Sequence, residues 1–117
     1  MRIKRADSQK MKGWFLGPWN SKLDFAVGYA NRGIDEPHVH HQITEIYLIA
    51  RGEAQIQIEE QTITVQEGDM LLVEPDEAHT FLTTSPDYYH LVIHTPGINE
   101  TDSAEERELV DRSKLGL

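Results

Sequence analysis

The sequence predicts an all-β fold, a small antiparallel barrel or sandwich. Three observations carry the prediction. About eight short segments either alternate apolar and polar residues or run apolar. Turn signals separate them at intervals of about 8–12 residues. No helical pattern occurs before the C-terminal tail. The 117 residues suit one domain: a basic arm over 1–12, a barrel over 13–95 and a tail over 96–117.

Taken in order, "LDFAVGYA" (23–30) alternates, with Phe25, Val27 and Tyr29 on one side and Ala26, Gly28 and Ala30 on the other. Pro37 ends whatever precedes it, and "HVHH" follows as a short strand. "TEIYLIA" (44–50) is mostly apolar, as for a strand covered on both faces. "AQIQIEE" and "TITVQEG" alternate around a polar turn near Glu59–Gln61 and read as a hairpin. "DMLLVEP" reads as another buried strand that stops at Pro75, and "AHTFLTT" and "YYHLVIHT" are split by the turn "SPD" (85–87). The tail "SAEERELVDRSKLG" is the helical candidate, with Ser103 as N-cap and an end near Gly116. "GWFLGPWN" (13–20) holds both tryptophans, and is either an aromatic lid over the barrel mouth or an N-terminal strand packed outside it.

Charge narrows the partners. The formal net charge is −9, and five of the eleven basic residues (Arg2, Lys4, Arg5, Lys10, Lys12) precede Gly13. Between Gly13 and Thr95 only Lys22, Arg32 and Arg51 oppose thirteen acids. Such a body repels phosphate backbones, so no nucleic-acid partner is expected. The basic arm is either a solvated leader or a contact to an acidic surface such as a second subunit. No stretch is long and apolar enough to span a membrane, and no apolar run follows the basic N-terminus, so a cytoplasmic location is expected. With no cysteine, disulfides, thiolate metal sites and a Cys nucleophile are excluded.

The histidines carry the chemistry. "DEPHVHHQITEIYLIARG" (35–52) holds three of the six within four positions. His38 and His40 share a strand face and His41 takes the other. Glu45 follows after a turn's length, and His79 lies far along the chain, behind Pro75. In a closed barrel these residues can converge, and three imidazoles with one carboxylate suit a divalent transition ion (Fe, Mn, Ni, Zn or Cu). A lone strand histidine is ordinarily a satisfied polar residue; the paired spacing with a carboxylate and a third histidine sets this set apart.

The spacing resembles the cupin family, in particular small stand-alone cupins of the cupin 2 type. Its first motif reads Gly33, four residues, His38-x-His40, four residues, Glu45, six residues, Gly52. Gly68, Pro75 and His79 match the second in order; Glu77 stands where a glycine is common and Thr83 where an asparagine is. The resemblance covers residues 33–83. It implies a barrel of jelly-roll type, with His38, His40, Glu45 and His79 as metal ligands. It also implies isomerase, decarboxylase or dioxygenase chemistry on a small keto, hydroxy or carboxylate molecule, or non-catalytic binding of a small molecule or metal. A barrel whose histidines are vestigial is the third reading.

Three further residues are catalytic candidates. His90 and His94 share a strand face with Val92, and either line the cavity as acid–base groups or are polar positions on a half-exposed face. Tyr47 shares a face with Glu45 and Ile49, and either orients a ligand or fills the barrel. Tyr88 and Tyr89 point to opposite faces. The paired acids Glu59–Glu60 and Glu105–Glu106 read as solvated charge. With Lys22, Arg32 and Arg51 the only basic residues of the barrel, a phosphate-rich substrate finds little to neutralise it. No Gly-rich phosphate loop or Gly-x-Ser-x-Gly elbow competes. A homodimer is expected from the family and from edge strands that a partner can cover.

Overall fold

A computed structural model describes residues 1–97 and 106–117. Ten strands occur among them: β1 (Lys12–Leu16), β2 (Ala26–Ala30), β3 (His38–His40), β4 (Thr44–Arg51), β5 (Glu53–Ile58), β6 (Gln61–Gln66), β7 (Met70–Val73), β8 (His79–Thr84), β9 (Tyr89–Thr95) and β10 (Arg107–Leu109). They form two antiparallel five-stranded sheets, ordered β1-β2-β9-β4-β7 and β10-β3-β8-β5-β6. This is the expected jelly-roll. No helix among the described residues is long and apolar enough to cross a membrane.

Alternation sets the core. Tyr47 and Ile49 of β4, Val73 of β7 and Val92 of β9 face Ala54 and Ile56 of β5, Val65 of β6 and Phe81 of β8 between the sheets, with Tyr88 among them. Gly52 turns the corner from β4 into β5 at φ 76°, a left-handed conformation that a glycine takes without steric cost. Ile58 pairs with Gln61 across Glu59–Glu60, the expected hairpin.

Three elements differ from expectation, and a fourth decides an open alternative. β4 is covered on one face only, its other face carrying Leu48, 37% exposed. β7 is not buried: it is an edge strand, with Met70 59% and Leu72 43% exposed, and only Val73 is fully covered. The run "MLLV" has one face on the core and the other outward, a distinction that an unbroken apolar run conceals. The "GWF" segment is the strand β1, paired with β2 along the edge of its sheet. In the tail, Arg107–Leu109 is a strand paired with β3, and among the described residues a 3-10 turn follows at Arg112–Leu115. That turn is capped by Asp111, whose side chain accepts from the Ser113 N–H, and it ends at Gly116 as expected. Ser103, the expected cap, lies outside the described residues. Leu115, fully buried, joins Val39 and Ala78 in a second small core, and Gln57 donates to its carbonyl at 2.9 Å.

Candidate metal centre and its cavity

The site forms where the two sheets face each other. β3 and β8 of one sheet supply His38, His40 and His79, and His38 and His79 are direct cross-strand partners. β4 of the other sheet supplies Glu45, whose cross-strand neighbour on β9 is His94. The expected ligands meet at Glu45, in two clusters that share it: His38 and His79 on one side, and His40 with His94 on the other. Glu45 Oε1 lies 2.9 Å from His79 Nε2, 3.0 Å from His40 Nε2 and 3.9 Å from His38 Nε2. Gly33, which opens the motif, packs so closely on the Phe81 ring that a Cβ there would overlap it.

Each imidazole is held from behind. Nδ1 of His38 donates to the Glu36 carbonyl at 2.8 Å, Nδ1 of His79 to the Glu77 carbonyl at 3.0 Å, and Nδ1 of His40 to Glu106 Oε1 at 2.6 Å. With the proton fixed on Nδ1, a neutral ring presents its Nε2 lone pair to Glu45. The other carboxylate oxygen, Oε2, is occupied: it accepts from the Tyr47 hydroxyl at 2.7 Å and from His94 Nε2 at 3.0 Å. Oε1 and His79 Nε2 are left buried without a hydrogen-bond partner. Two buried acceptors 2.9 Å apart repel unless a proton or a metal ion lies between them. Ligand atoms at right angles around one ion at about 2.1 Å stand about 3.0 Å apart, matching two of the three separations. The cluster can hold a metal ion.

Electrostatics follow from these contacts. Burial alone would raise the Glu45 pKa, but His40, His79 and His94 hold it well below the usual carboxylate range. Burial lowers His38 to about 4. Burial opposes charge on His40 too, yet Glu45 and Glu106 outweigh it and raise its pKa. Tyr47 is pushed well above the usual tyrosine value, first by burial and then by Glu45, so it stays a hydrogen-bond donor.

The remaining candidates fall into place around this centre. His94 packs against Trp14, ring centroids 4.8 Å apart. His90 sits deeper, 5.0 Å from the Tyr47 ring and 2.7 Å by Nδ1 from the Tyr88 hydroxyl. The Tyr88 hydroxyl and His90 Nδ1 share one hydrogen bond, and the His90 ring lines the cavity. Burial holds His90 neutral, its pKa lowered to about 4. His41 faces out as expected, between Asp76 and Glu108 at 2.9 Å each.

Two expectations are corrected. Glu106 is not solvated charge: it is 2% exposed, and besides His40 it accepts from the backbone N–H of Gln42 and Ile43. Nothing in its local pattern marks it, because its partner is 66 residues away; Glu105 lies outside the described residues. The cavity is also richer in cations than expected. Its volume is about 470 Å³, and Lys12, Arg32 and Arg107 line it along with Trp14, Phe81 and the histidines.

Residues 25–115 match the family of AraC-like ligand-binding domains. The chain belongs to that family. The cupin resemblance read from residues 33–83 agrees with it, and solved structures show the same fold. Pac13 from Streptomyces, in a variant with uridine, aligns at a TM-score of 0.68 and 13% identity over 94% of this chain and 92% of that one. KdgF from Halomonas sp. aligns at 0.65 and 16% identity over 77% and 81%. A cupin 2 conserved barrel domain protein from Salinispora arenicola aligns at 0.65 and 13% identity over 80% and 87%. No protein of curated function matches the chain. Identities this low carry the cupin fold alone.

Proposed function

We propose that this cupin domain binds a divalent transition ion through His38, His40, Glu45 and His79 and acts on a small keto, hydroxy or carboxylate molecule. The observation that carries the proposal is the buried Glu45 Oε1 facing imidazole nitrogens with no hydrogen bond to satisfy it. A proton on His40 meets the need of one nitrogen; His38 and His79, clustered with Glu45, are left to a cation. When bound, the ion supplies Lewis acidity toward an oxygen of the ligand.

The other residues have distinct tasks. Tyr47 and His94 hold Glu45 through Oε2, which fixes Oε1 toward the histidines. Glu106 fixes the tautomer of His40. His90 offers a neutral ring to the ligand. His94, donating through Nε2, keeps a free Nδ1 lone pair and is the candidate base for isomerase, decarboxylase or dioxygenase chemistry. Elemental analysis tests the centre: the wild-type protein should carry close to one ion per chain, and Glu45→Gln and His79→Ala should lose it while keeping their strand content. A wild type that takes up no transition ion even after supplementation sinks the proposal.

The family match to a ligand-binding domain favours a second reading, a module that holds its ligand without turnover. Pac13 is described as a nucleoside dehydratase, which favours the enzyme. Product formation from a panel of keto and hydroxy acids, lost in His94→Gln with the ion retained, separates the two.

We further propose a homodimer. The outer face of the β1-β2-β9-β4-β7 sheet carries a cross-strand row of Val27, Ile93, Ile46 and Leu72, beside a second of Leu91, Leu48 and Met70. The exposed arm of one copy, with Arg2, Lys4, Arg5 and Lys10, complements the acidic body of the other.

A further inference from the structure

Three of the chain's eleven cations line this one cavity, in a protein of net charge −9. The acids that share it are all engaged. Glu45 faces the histidines, Glu106 binds His40, and Glu36 is taken by Arg107. Lys12 and Arg32 are different: among the described residues neither is within ion-pair distance of a carboxylate, and the Arg32 Nε contacts only the Met11 sulfur. Both are exposed, whereas Glu45 and His79 are buried, so the two cations stand at the mouth and the histidine cluster at the floor.

Strand pairing puts them there. Lys12 is the cross-strand partner of Ala30 on the inner face of β1-β2, and the Asn31 N–H donates to the Met11 carbonyl at 2.9 Å. Arg32, two residues past Ala30, is thereby carried to the same rim. Trp14 and Ile34, exposed like the two cations, share the mouth, and Phe81, Val92 and the His90 ring wall the cavity beneath them. The cavity thus has a cationic rim, apolar walls and a floor of acceptors that would meet a ligand oxygen through the proposed ion.

We propose that the ligand of this cavity is a small anion whose carboxylate or phosphate monoester is held at the mouth by Lys12 and Arg32, while an oxygen function at its other end faces Glu45 and the histidines. This deepens the cavity's reading as a ligand site and rests on it. Two cations outside any ion pair, on an otherwise acidic body, focus an anion at this one opening, although Lys12 also feels the nearby Glu36, and a guanidinium beside an ammonium suits either oxyanion.

The test uses two probe pairs with the full chain as isolated: 4-oxopentanoate against 2-pentanone, in which a methyl replaces the carboxylate, and glycerol 3-phosphate against glycerol. Binding is measured by calorimetry for the wild type and for the double variant Lys12→Gln/Arg32→Gln. The charged member of at least one pair should bind about tenfold or more tightly than its partner, as expected for hydrogen bonds to charged groups. That advantage should vanish in the double variant, with melting temperature and ion content unchanged. The pair that discriminates tells carboxylate from phosphate. Equal binding within both pairs, no binding by any of the four, or an advantage that survives the double substitution overturns the proposal. Ion content measured on the same samples keeps the two proposals apart: preference for the charged probe in wild type that stays ion-free after supplementation supports the mouth and sinks the metal centre, and an ion-loaded protein without preference does the reverse.

Discussion

His90 is the residue whose behaviour is set most directly by its surroundings. Burial lowers its pKa from the usual 6.5 to about 4. The folded chain therefore refuses a proton that the unfolded chain accepts, and the stability tied to His90 is full above pH 6.5 and is lost as pH falls toward 4. His38, also lowered to about 4, acts in the same sense. His40, with its raised pKa, acts in the opposite one, stabilising below 6.5 and losing that contribution as pH rises through its folded value. Comparing His90→Phe with wild type isolates the one residue. Urea unfolding of ion-free protein at pH 7 and pH 4.5 should show a pH-dependent loss smaller by about 1–3 kcal/mol in the variant; an unchanged loss refutes the assignment. At this scale the sequence is legible where period-two geometry applies: His38 with His40, and Glu45 with Tyr47, share faces as their spacing requires. It is silent on which nitrogen of His90 carries the proton, because that depends on the Tyr88 hydroxyl.

Among the elements, the β3–β4 unit can be read in advance because its partners lie within a few residues of each other and one turn joins them. β8 is placed by Pro75 and the acidic turn before His79. β10 cannot be read in this way. Its residues carry no alternation that separates a strand from a short helix, and its pairing with β3 is a long-range event. Yet this strand starts beside Glu106, the carboxylate that fixes His40. Replacing Glu106 with Gln keeps the shape and removes the charge, and should weaken ion affinity about 10–100-fold with the barrel intact. Competition with a chelator of known affinity measures it; unchanged affinity would show that the Glu106 contact serves packing alone. β7 was misjudged for a different reason. An apolar run looks the same whether its second face meets a core or a partner molecule.

For the whole molecule, that second face sets the expectation. Leu48, Met70 and Leu72 are exposed on a sheet whose edge is β7, and monomers rarely leave such apolar rows to water. Leu48→Glu with Leu72→Glu should convert a dimer to a monomer in light scattering at micromolar concentration, with the ion site undisturbed because both side chains face away from it. A wild-type mass of 13.4 kDa at every concentration removes the dimer. Charge is only partly legible at this scale. Counting along the chain assigns Lys12 to a solvated arm and leaves Arg107 in the tail, and only the closed barrel brings both to the cavity.

The Glu106–His40 hydrogen bond has a consequence for how the molecule is put together. It joins a carboxylate from the end of the chain to a ring that faces Glu45 on the far side. Seating of the C-terminal strand and loading of the ion are then linked equilibria, and each must strengthen the other by the same factor. Trypsin sites at Arg107 and Arg112 become an occupancy gauge, cut slowly in the loaded protein and faster once a chelator has emptied it. β10 is in this sense a latch whose closure loading of the proposed ion would report.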